Sequence, residues 1–378
     1  MRAPLRRLWL KIHRWVGLTL GPVLAFVALL GAMLVVGQPL DRWAHPELFA
    51  ARSTGPSGNA VAAAAALPLE PLRQRIVAEF GPGTNFTLRP PRDADETLWV
   101  LVRGSWSGTL YLDPATGAEQ GRRGTQEGAY NLVYKIHSSL LLDSTGKAIL
   151  AFVALSYLFL LVTGAVLWWP VRWPPSLRIE LRRGLLRGLF DLHRTGGAVL
   201  GLLIAVSVAT GAYMAWRPLG GYISAALGQK PVKAPTIAKD SANGPRLPLD
   251  ELVARAQQVY PGQPIGYVLV PGKADRPVRV RFRLDDDPHP NGISSVWLNP
   301  VTGEVLAARK WQELDTGNGM VAVVFPLHTG ALGGVLHEIV TALLGLALGG
   351  LGVSGVWLWW RRRADRRRLA ARQVHSTT

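Results

Sequence analysis

The sequence has 378 residues, of which 48% are hydrophobic and none is cysteine, and its formal net charge is +17. The lack of cysteine excludes disulfides, cysteine-ligated iron–sulfur clusters and covalently attached c-type haem. A soluble protein this basic would suggest nucleic-acid binding, but we expect no nucleic-acid partner, because the positive charge is concentrated beside long apolar segments.

Four apolar segments hold much of the hydrophobicity, and each is near the roughly 20 residues that a helix needs to cross a bilayer. The first three contain no Asp, Glu, Lys or Arg, and the fourth contains only Glu338. The first is too long for a signal peptide, so we interpret it as a retained helix. The sequence therefore predicts four transmembrane helices in a lipid bilayer, at residues 16–36, 148–169, 196–216 and 332–360.

Basic residues are concentrated in three segments that lie on one side of the membrane if there are four spans. The positive-inside rule assigns that side to the cytoplasm. We therefore expect both termini to be cytoplasmic and the two long loops to be extracytoplasmic. The basic residues are Arg2, Arg6, Arg7, Lys11 and Arg14; Arg172, Arg178, Arg182, Arg183 and Arg187; and Arg361, Arg362, Arg363, Arg366, Arg367 and Arg368.

The first and third apolar segments follow the same motif, which indicates an internal repeat. The pattern His-Arg-x-x-Gly begins at His13 and again at His193, an offset of 180 residues. Gly31 and Gly211 each follow their histidine by 18 residues. These matches predict that the two segments are equivalent helices of two copies of one unit.

The second and fourth apolar segments repeat in the same way. His137 and His328 precede them at an offset of 191 residues, and we expect each histidine to begin its helix. Gly164 and Gly355 each follow their histidine by 27 residues. The duplicated unit therefore contains two helices, each with one histidine near one end.

The long loops repeat as well. Residues 67–83 match 247–263 and show helical spacing of apolar residues, and strand-like alternating segments follow each of them. Residues 113–117 and 299–303 have Asp or Asn first, Pro second and Gly last, which is turn chemistry. We expect one small α+β domain in each loop. Basic residues such as Arg103, Arg122, Arg123 and Arg279 are interpreted as solvated surface, with attraction of anionic ligands as the alternative.

These elements predict an α-helical integral membrane protein with four transmembrane helices, arranged as two tandem two-helix repeats that each carry an extracytoplasmic α+β domain. The predicted organisation is a cytoplasmic N-terminus and first helix (1–37), outer domain 1 (38–146), the second helix (147–170), a basic cytoplasmic loop (171–194), the third helix (195–218), outer domain 2 (219–327), the fourth helix (328–360) and a basic cytoplasmic tail (361–378).

Several of these motifs resemble the PepSY-associated transmembrane family of bacterial inner-membrane proteins. The resemblance covers nearly the whole chain. It implies that the outer domains are PepSY-like and periplasmic. It also implies an association with iron uptake, since some members look like haem-containing reductases of ferric siderophores. The motifs are "KIHRWVGL", "YKIHSSLLL", "DLHRTGGAVLG", "PLHTGALGG", "LDPATG" and "LNPVTG".

The four repeated histidines form one duplicated pair at each membrane face. His13 and His193 are expected at the cytoplasmic face, and His137 and His328 at the outer face. A repeat related by a pseudo-two-fold axis points two imidazoles at a shared axis, as axial ligation of one haem iron requires. We therefore predict that these histidines are the axial ligands of two haem b groups per chain, with a single haem as the alternative.

Other polar residues near these histidines are interpreted in two ways. Arg14 and Arg194 follow the cytoplasmic histidines and are candidates to bind haem propionates, or they anchor phospholipid headgroups. His337 lies nine residues after His328, so one continuous helix would place the two on opposite faces. His337 then either replaces His328 as a ligand or binds something else.

The sequence and the resemblance together suggest three functions. The first is a ferric-siderophore reductase that conducts electrons across the membrane. No Gly-x-Gly-x-x-Gly motif follows a strand, so we find no flavin or nicotinamide site. The electron donor, which is unidentified, is therefore a cytoplasmic reductase or a quinol. The second is a transporter component for siderophore, haem or metal, since repeats are common in transporters. The third is a non-catalytic membrane anchor that docks a partner.

Overall fold

The computed structural model describes residues 3–53, 59–170, 174, 176–238, 241 and 243–376. Arg2 and Arg172, both named above among the basic residues, lie outside these ranges. The described chain forms two units. We call them the helical unit (Met1–Val36, Val133–Arg217 and Leu327–Thr378) and the sheet unit (Gly37–Leu132 and Pro218–Pro326).

The described residues form helices and one set of strands in the following order. The α-helices are α1 (Ala3–Thr19), α2 (Gly21–Ala44), α3 (Pro46–Phe49), α4 (Ala60–Ala66), α5 (Leu69–Phe80), α6 (Ala129–Ser139), α7 (Asp143–Trp168), α8 (Leu185–Ala215), α9 (Leu219–Ala226), α10 (Leu249–Val259), α11 (Thr316–Thr329) and α12 (Gly334–Ser376). The strands are β1 (Asn85–Arg89), β2 (Leu98–Arg103), β3 (Ser107–Leu112), β4 (Glu119–Gly124), β5 (Ile265–Val270), β6 (Val278–Phe282), β7 (Ser295–Leu298) and β8 (Val305–Arg309).

Four helical segments in the described residues are long and apolar enough to cross a bilayer, as predicted. They are Gly21–Ala44, Asp143–Trp168, Leu185–Ala215 and Ala331–Arg368, with mean hydropathies between 2.0 and 2.4. Only 17% of the first and fourth segments is buried inside the protein. Apolar helices with so little protein cover are expected where lipid replaces water as the solvent.

The second and fourth apolar helices do not begin at their histidines, contrary to expectation. His137 lies in α6, which ends at Ser139, and His328 lies in α11, which ends at Thr329. The chain turns before α7 and α12 through residues of positive φ, among them Leu140 and Leu141, at 51° and 61°. The predicted outer domain 1 ends at 146, whereas residues from Val133 onward belong to the helical unit.

The core of the helical unit lies mainly between α7 and α8. Tyr157 of α7 is 6% exposed, and its hydroxyl donates to the Gly201 carbonyl of α8 over 3.2 Å. Apolar residues of α2 and α12 complete the cluster around it. The buried members of this cluster are Leu24, Val153, Ala154, Tyr157, Ile204, Ala205, Val208, Ala212 and Leu348.

The strands of both long loops form one sheet, rather than one sheet for each loop. The order is β4-β3-β2-β1-β5-β6-β7-β8, and all neighbouring strands are antiparallel. β1 pairs with β5, which places Phe86 opposite Val270 and Leu88 opposite Val268. The predicted separate domains, 38–146 and 219–327, are therefore halves of one eight-stranded sheet. A four-stranded half alone would leave the β1 edge open to pairing, and β5 covers it.

Helices α5 and α10 bury their apolar sides in one core with the sheet, in agreement with the predicted helical spacing. Ile76 of α5 and Leu252 of α10 are both nearly fully buried in this core. The two helices also cap each other. Asp250 accepts hydrogen bonds from the first backbone amides of α5, and Glu70 accepts one from Leu249 at the start of α10. Such carboxylates at helix N-termini satisfy free backbone N–H groups and favour the helix dipole.

The predicted turns between strands are confirmed. Asp113 Oδ1 accepts from two backbone amides of its turn, and Asn299 Oδ1 does the same in the second half. Gly117 and Gly303 close the turns with φ of 70° and 72°. The expectation of solvated basic residues is wrong for Arg123, which is buried and paired with Asp41, because its strand faces the α2–α3 segment.

Candidate functional site

The structure brings the four predicted histidines together as two pairs. The first pair is His13 of α1 and His193 of α8, whose ring centroids lie 6.4 Å apart with an interplanar angle of 86°. The second pair is His137 of α6 and His328 of α11, with a separation of 6.2 Å and an angle of 36°. Both pairs belong to the helical unit, and each joins equivalent positions of the two predicted copies.

The hydrogen bonds of the first pair fix which ring nitrogen carries the proton. His13 Nδ1 lies 2.8 Å from Thr163 Oγ1, and His193 Nδ1 lies 3.1 Å from Ser354 Oγ. Each hydroxyl donates its own hydrogen to the carbonyl three residues earlier in its helix. The hydroxyl oxygens therefore accept from Nδ1–H, which leaves the lone pair on Nε2 of both rings.

The second pair reaches the same state through backbone carbonyls. His137 Nδ1 lies 2.9 Å from the Val27 carbonyl oxygen, and His328 Nδ1 lies 3.0 Å from that of Ser207. A carbonyl only accepts, so Nδ1 donates in both rings. Thr210 Oγ1 is a second acceptor for His328, at 3.0 Å. An imidazole that binds a metal through Nε2 commonly donates its other N–H to a carbonyl in this way.

Each histidine ring packs against a glycine of a neighbouring helix. A Cβ atom built on Gly31 would lie 2.8 Å from His137 Cε1, and one on Gly211 would lie 3.1 Å from His328 Cε1. The equivalent distances to His13 and His193 are 3.4 Å, from Gly164 and Gly355. These four glycines are the ones that recur in the sequence at fixed distances from the histidines. The lack of a side chain at these positions leaves space for the imidazole rings.

Space remains one helical turn beyond each histidine of the first pair. A Cβ on Gly197, four residues after His193, would have no neighbouring atom within 4 Å. On Gly17, four residues after His13, the nearest atom would be Leu160 Cδ2 at 4.0 Å. Residues four apart share a helix face. A flat group held between the two histidines would therefore find room against both helices.

The ring separation in both pairs matches that of two imidazoles bound to one haem iron. With metal–nitrogen bonds of about 2 Å, and a ring centroid about 1.2 Å behind the ligating nitrogen, two imidazoles on opposite sides of one iron have centroids about 6.4 Å apart. The observed separations are 6.4 and 6.2 Å. Two imidazole nitrogens complete the coordination of an iron that already has four macrocycle nitrogens.

The two predicted arginines have different environments. Arg14 Nε is buried and has no hydrogen-bond partner among the described groups. Arg194 donates to the Ser176 carbonyl over 3.1 Å and lies 3.7 Å from Asp191, although its Nε is also buried and without a partner. Unsatisfied guanidinium nitrogens on both fit carboxylate ligands such as propionates, and that function of the arginines stays a prediction.

Asp191 is a candidate residue that the sequence analysis missed. Its side chain is fully buried two residues before His193, and it accepts from Arg187 Nε over 3.0 Å and from the backbone amide of Glu180 over 3.3 Å. A buried carboxylate requires such partners. The signal in the sequence is an acidic residue with arginines four positions before and three after, the spacing of helical ion pairs.

His337 is not part of either pair. It lies at the start of α12, and Gly330 before that helix has φ of 86°. The single continuous helix assumed for residues 328–337 is therefore wrong, and the rotation argument built on it does not apply. Among the described residues, the aromatic contact of His137 is with His328.

The chain matches the model of a known protein family. The model of the PepSY-associated TM region matches residues 10–362. The chain belongs to this family. No curated protein matches this PepSY-associated chain. Membership, together with the four apolar helices, identifies this PepSY-associated chain as a membrane protein, and the match covers all four paired histidines.

Proposed function

We propose that this protein is a membrane haem protein that passes electrons across the bilayer and reduces ferric siderophores, releasing Fe(II) for iron acquisition. The observation that carries the proposal is the geometry of the two histidine pairs. The ring separations are 6.4 and 6.2 Å, and Nδ1 of all four rings has an acceptor. Within the described part of the chain, none of the four Nε2 atoms forms a hydrogen bond. Two such sites at different positions along one helical unit suit electron transfer between them.

The chain's own residues would hold two haem b groups. His13 and His193 would be the axial ligands of one, and His137 and His328 of the other. Haem b, when bound, supplies one-electron chemistry between Fe(III) and Fe(II). Two histidines bound to one haem iron would leave it no open coordination position. Arg14 and Arg194 would neutralise propionates beside the first pair.

The proposed orientation follows the distribution of basic residues. It places both termini and the first pair on the cytoplasmic side of a bacterial inner membrane, and the sheet unit in the periplasm. Electrons would enter at the first pair from a cytoplasmic reductase or a membrane quinol. They would leave at the second pair to ferric iron, which accepts one electron and becomes Fe(II). Siderophores hold Fe(III) through hard oxygen ligands, and the softer Fe(II) binds these ligands less tightly.

The reductase activity can be tested on the purified full chain in lipid nanodiscs. The reduced protein is expected to show a low-spin b-type spectrum, to reoxidise when a ferric siderophore is added, and to release Fe(II) that a coloured Fe(II) chelator captures. The gallium siderophore is the control, because Ga(III) binds the same oxygen ligands and is not reduced under these conditions. Absence of haem from protein made with ample haem would contradict the proposal. In that case, siderophore uptake by vesicles without an electron donor would support a transporter.

The threonine hydroxyls that are hydrogen-bonded to the histidines are expected to differ in their effect on haem retention. Thr163→Val removes the acceptor of His13, so we expect the rate of haem loss from the first pair to rise about 10- to 100-fold. Thr210→Val leaves His328 its bond to the Ser207 carbonyl, so we expect a smaller effect. Transfer of haem to apomyoglobin, followed optically, measures both. Equal rates in the two variants would contradict this account of the hydrogen bonds.

A further inference from the structure

The face of the sheet opposite its apolar core carries a group of closely spaced arginines. Strand β6 alternates, so that Val278, Val280 and Phe282 are buried in the core while the residues between them lie on the other face. We define the arginine cluster by its four members, which come from β6, from the residue after β6 and from the loop between β1 and β2. They are Arg92, Arg279, Arg281 and Arg283.

The cluster lacks the counter-ions that other arginines of the sheet unit have. Within the described ranges, no carboxylate forms an ion pair with any of its members. Arg279 donates to Ser295 Oγ, and Arg281 donates to the Gly292 carbonyl, which are neutral acceptors. The Nε atoms of Arg281 and Arg283 are buried and have no partner there. By contrast, the sheet-unit arginines paired with carboxylates include Arg42, Arg73, Arg75, Arg89, Arg122, Arg123 and Arg255.

The acidic and titratable groups next to the cluster offset its charge only in part. Asp287 accepts hydrogen bonds from the backbone amides of His289, Ile293 and Ser294, and burial raises the pKa of its carboxyl above the usual value. Burial, with Arg281 nearby, lowers the pKa of His289 to about 3, so this ring is neutral at pH 7. Asp287 therefore shapes its own loop. Its charge, like that of Glu96 beside Arg92, offsets the effect of burial on the arginines only in part.

The surroundings of the arginines disfavour the charged form of their side chains. Burial, followed by the charge of Arg281, lowers the pKa of Arg279 to about 9. Burial, followed by the charge of Arg89, lowers the pKa of Arg92 to about 10. Both shifts mean that the charged forms are destabilised where they stand. A buried charge without a partner costs free energy, and a bound anion would offset that cost.

Aromatic rings lie beside two arginines of the cluster. The Arg279 guanidinium lies 4.8 Å from the centre of the Trp297 ring, and that of Arg281 lies 5.5 Å from the Tyr267 ring. The Tyr267 hydroxyl accepts from the Asn291 amide over 2.9 Å. Guanidinium groups oriented against aromatic rings present their N–H forks sideways, toward oxygen anions.

We propose that the arginine cluster is the docking site for the ferric chelate, and that it selects chelates of net negative charge with oxygen ligands. This inference rests on the proposed reductase function and names the substrate class. Catecholate chelates of Fe(III) carry a net negative charge and have aromatic rings, which fit the Arg and aromatic side chains of the cluster. Hydroxamate chelates, whose three groups only balance the charge of the metal, lack the charge that the cluster would bind.

Gallium complexes test docking separately from reduction, because Ga(III) has the charge and oxygen preference of Fe(III). Binding of gallium tris-catecholate to the full chain in nanodiscs is measured by calorimetry. We expect it to bind more tightly than gallium tris-hydroxamate, with an affinity that falls as salt is added. Arg281→Gln and Arg279→Gln should each weaken binding about 10- to 100-fold, the range for a lost charge-assisted hydrogen bond. Arg255→Gln, which alters an ion-paired arginine of the same unit, should leave the affinity unchanged.

Three results would overturn the docking proposal. The first is that the neutral gallium tris-hydroxamate binds as tightly as gallium tris-catecholate. The second is that Arg281→Gln and Arg281→Lys both bind gallium tris-catecholate with unchanged affinity and unfold at the normal temperature. The third is that inorganic phosphate, or anionic lipid in the nanodisc, competes as strongly as the catecholate complex itself. Gallium binding without haem or reduction would contradict only the reductase function. Reduction of ferric catecholate that persists in the arginine variants would contradict only the docking site.

Discussion

His328→Ala is expected to remove one haem from the protein while the other stays, so that haem falls from about two per chain to about one. His13→Ala is expected to do the same for the other site. The reason is that each variant leaves one imidazole where the iron needs two, and the pairs lie at separate positions in the helical unit. Both variants should lose ferric-siderophore reduction, because each breaks the only proposed path for electrons. Haem quantification and the reduced-minus-oxidised spectrum measure the first effect, and Fe(II) capture measures the second.

The control for both variants is His45→Ala. His45 is a solvent-exposed histidine of the sheet unit that lies near Asp41 and Glu47, so it should keep both haems and full activity. If His328→Ala kept both haems while His337→Ala lost one, the second site would have to be reassigned to His337. Loss of both haems from each variant at normal thermal stability would contradict two independent sites.

The sequence predicted the helical unit better than the sheet unit, for a physical reason. An apolar run of about 20 residues is a local signal, because a single helix satisfies its own backbone hydrogen bonds within the bilayer. Pairing of β1 with β5 is different, since it joins residues about 180 positions apart in the two halves. Nothing in either loop alone indicates that its edge strand pairs with the other half. Two separate domains were therefore predicted where one sheet forms.

The histidine pairing was predictable because the repeat itself encodes it. Positions that recur at a constant offset occupy equivalent places around a pseudo-symmetry axis, so His13 and His193 were expected to meet. The acceptors of the other pair, His137 and His328, were harder to predict. They are the backbone carbonyls of Val27 and Ser207, and because every residue has a carbonyl, they leave no mark in the sequence. The breaks after α6 and α11 were also missed. Leucine rarely adopts positive φ, so nothing in the sequence at Leu140 and Leu141 indicates the first of these breaks.

The burial of the arginine cluster could not be predicted from the sequence. Arg279 alternates with valines in β6, and an alternating strand ordinarily places its polar residues on solvated surface. The burial of Arg279 depends on the 285–292 loop and on β7 beside it, and neither follows from the strand's own pattern. The lack of an ion pair is visible only in the structure, where Glu96 pairs with Arg42 and Arg89, and Asp287 accepts from backbone amides of its own loop.

Gly31→Ala is expected to disrupt the second histidine pair although it changes neither ligand. The added methyl group would lie 2.8 Å from His137 Cε1, closer than carbon atoms approach in proteins, and the ring is held by its bond to Val27 on the same helix as Gly31. The ring must therefore turn or move away, which displaces Nε2 from the position that matches the 6.2 Å separation. We expect haem at this pair to be lost or its spectrum to change, with the first pair unaffected. Gly211→Ala, at 3.1 Å from His328 Cε1, should have a weaker effect of the same kind.

Gly350→Ala separates this effect from the general consequences of adding a methyl group to an apolar helix. Gly350 is exposed on α12 and has no atom within 4 Å of a built Cβ, so alanine there should leave both sites intact and raise helix stability slightly. If Gly31→Ala behaved like Gly350→Ala, the repeated glycines would serve helix packing alone. A spectral change confined to Gly31→Ala and Gly211→Ala would instead mean that these two glycines are in the repeat because the second pair of imidazoles needs the space of a side chain.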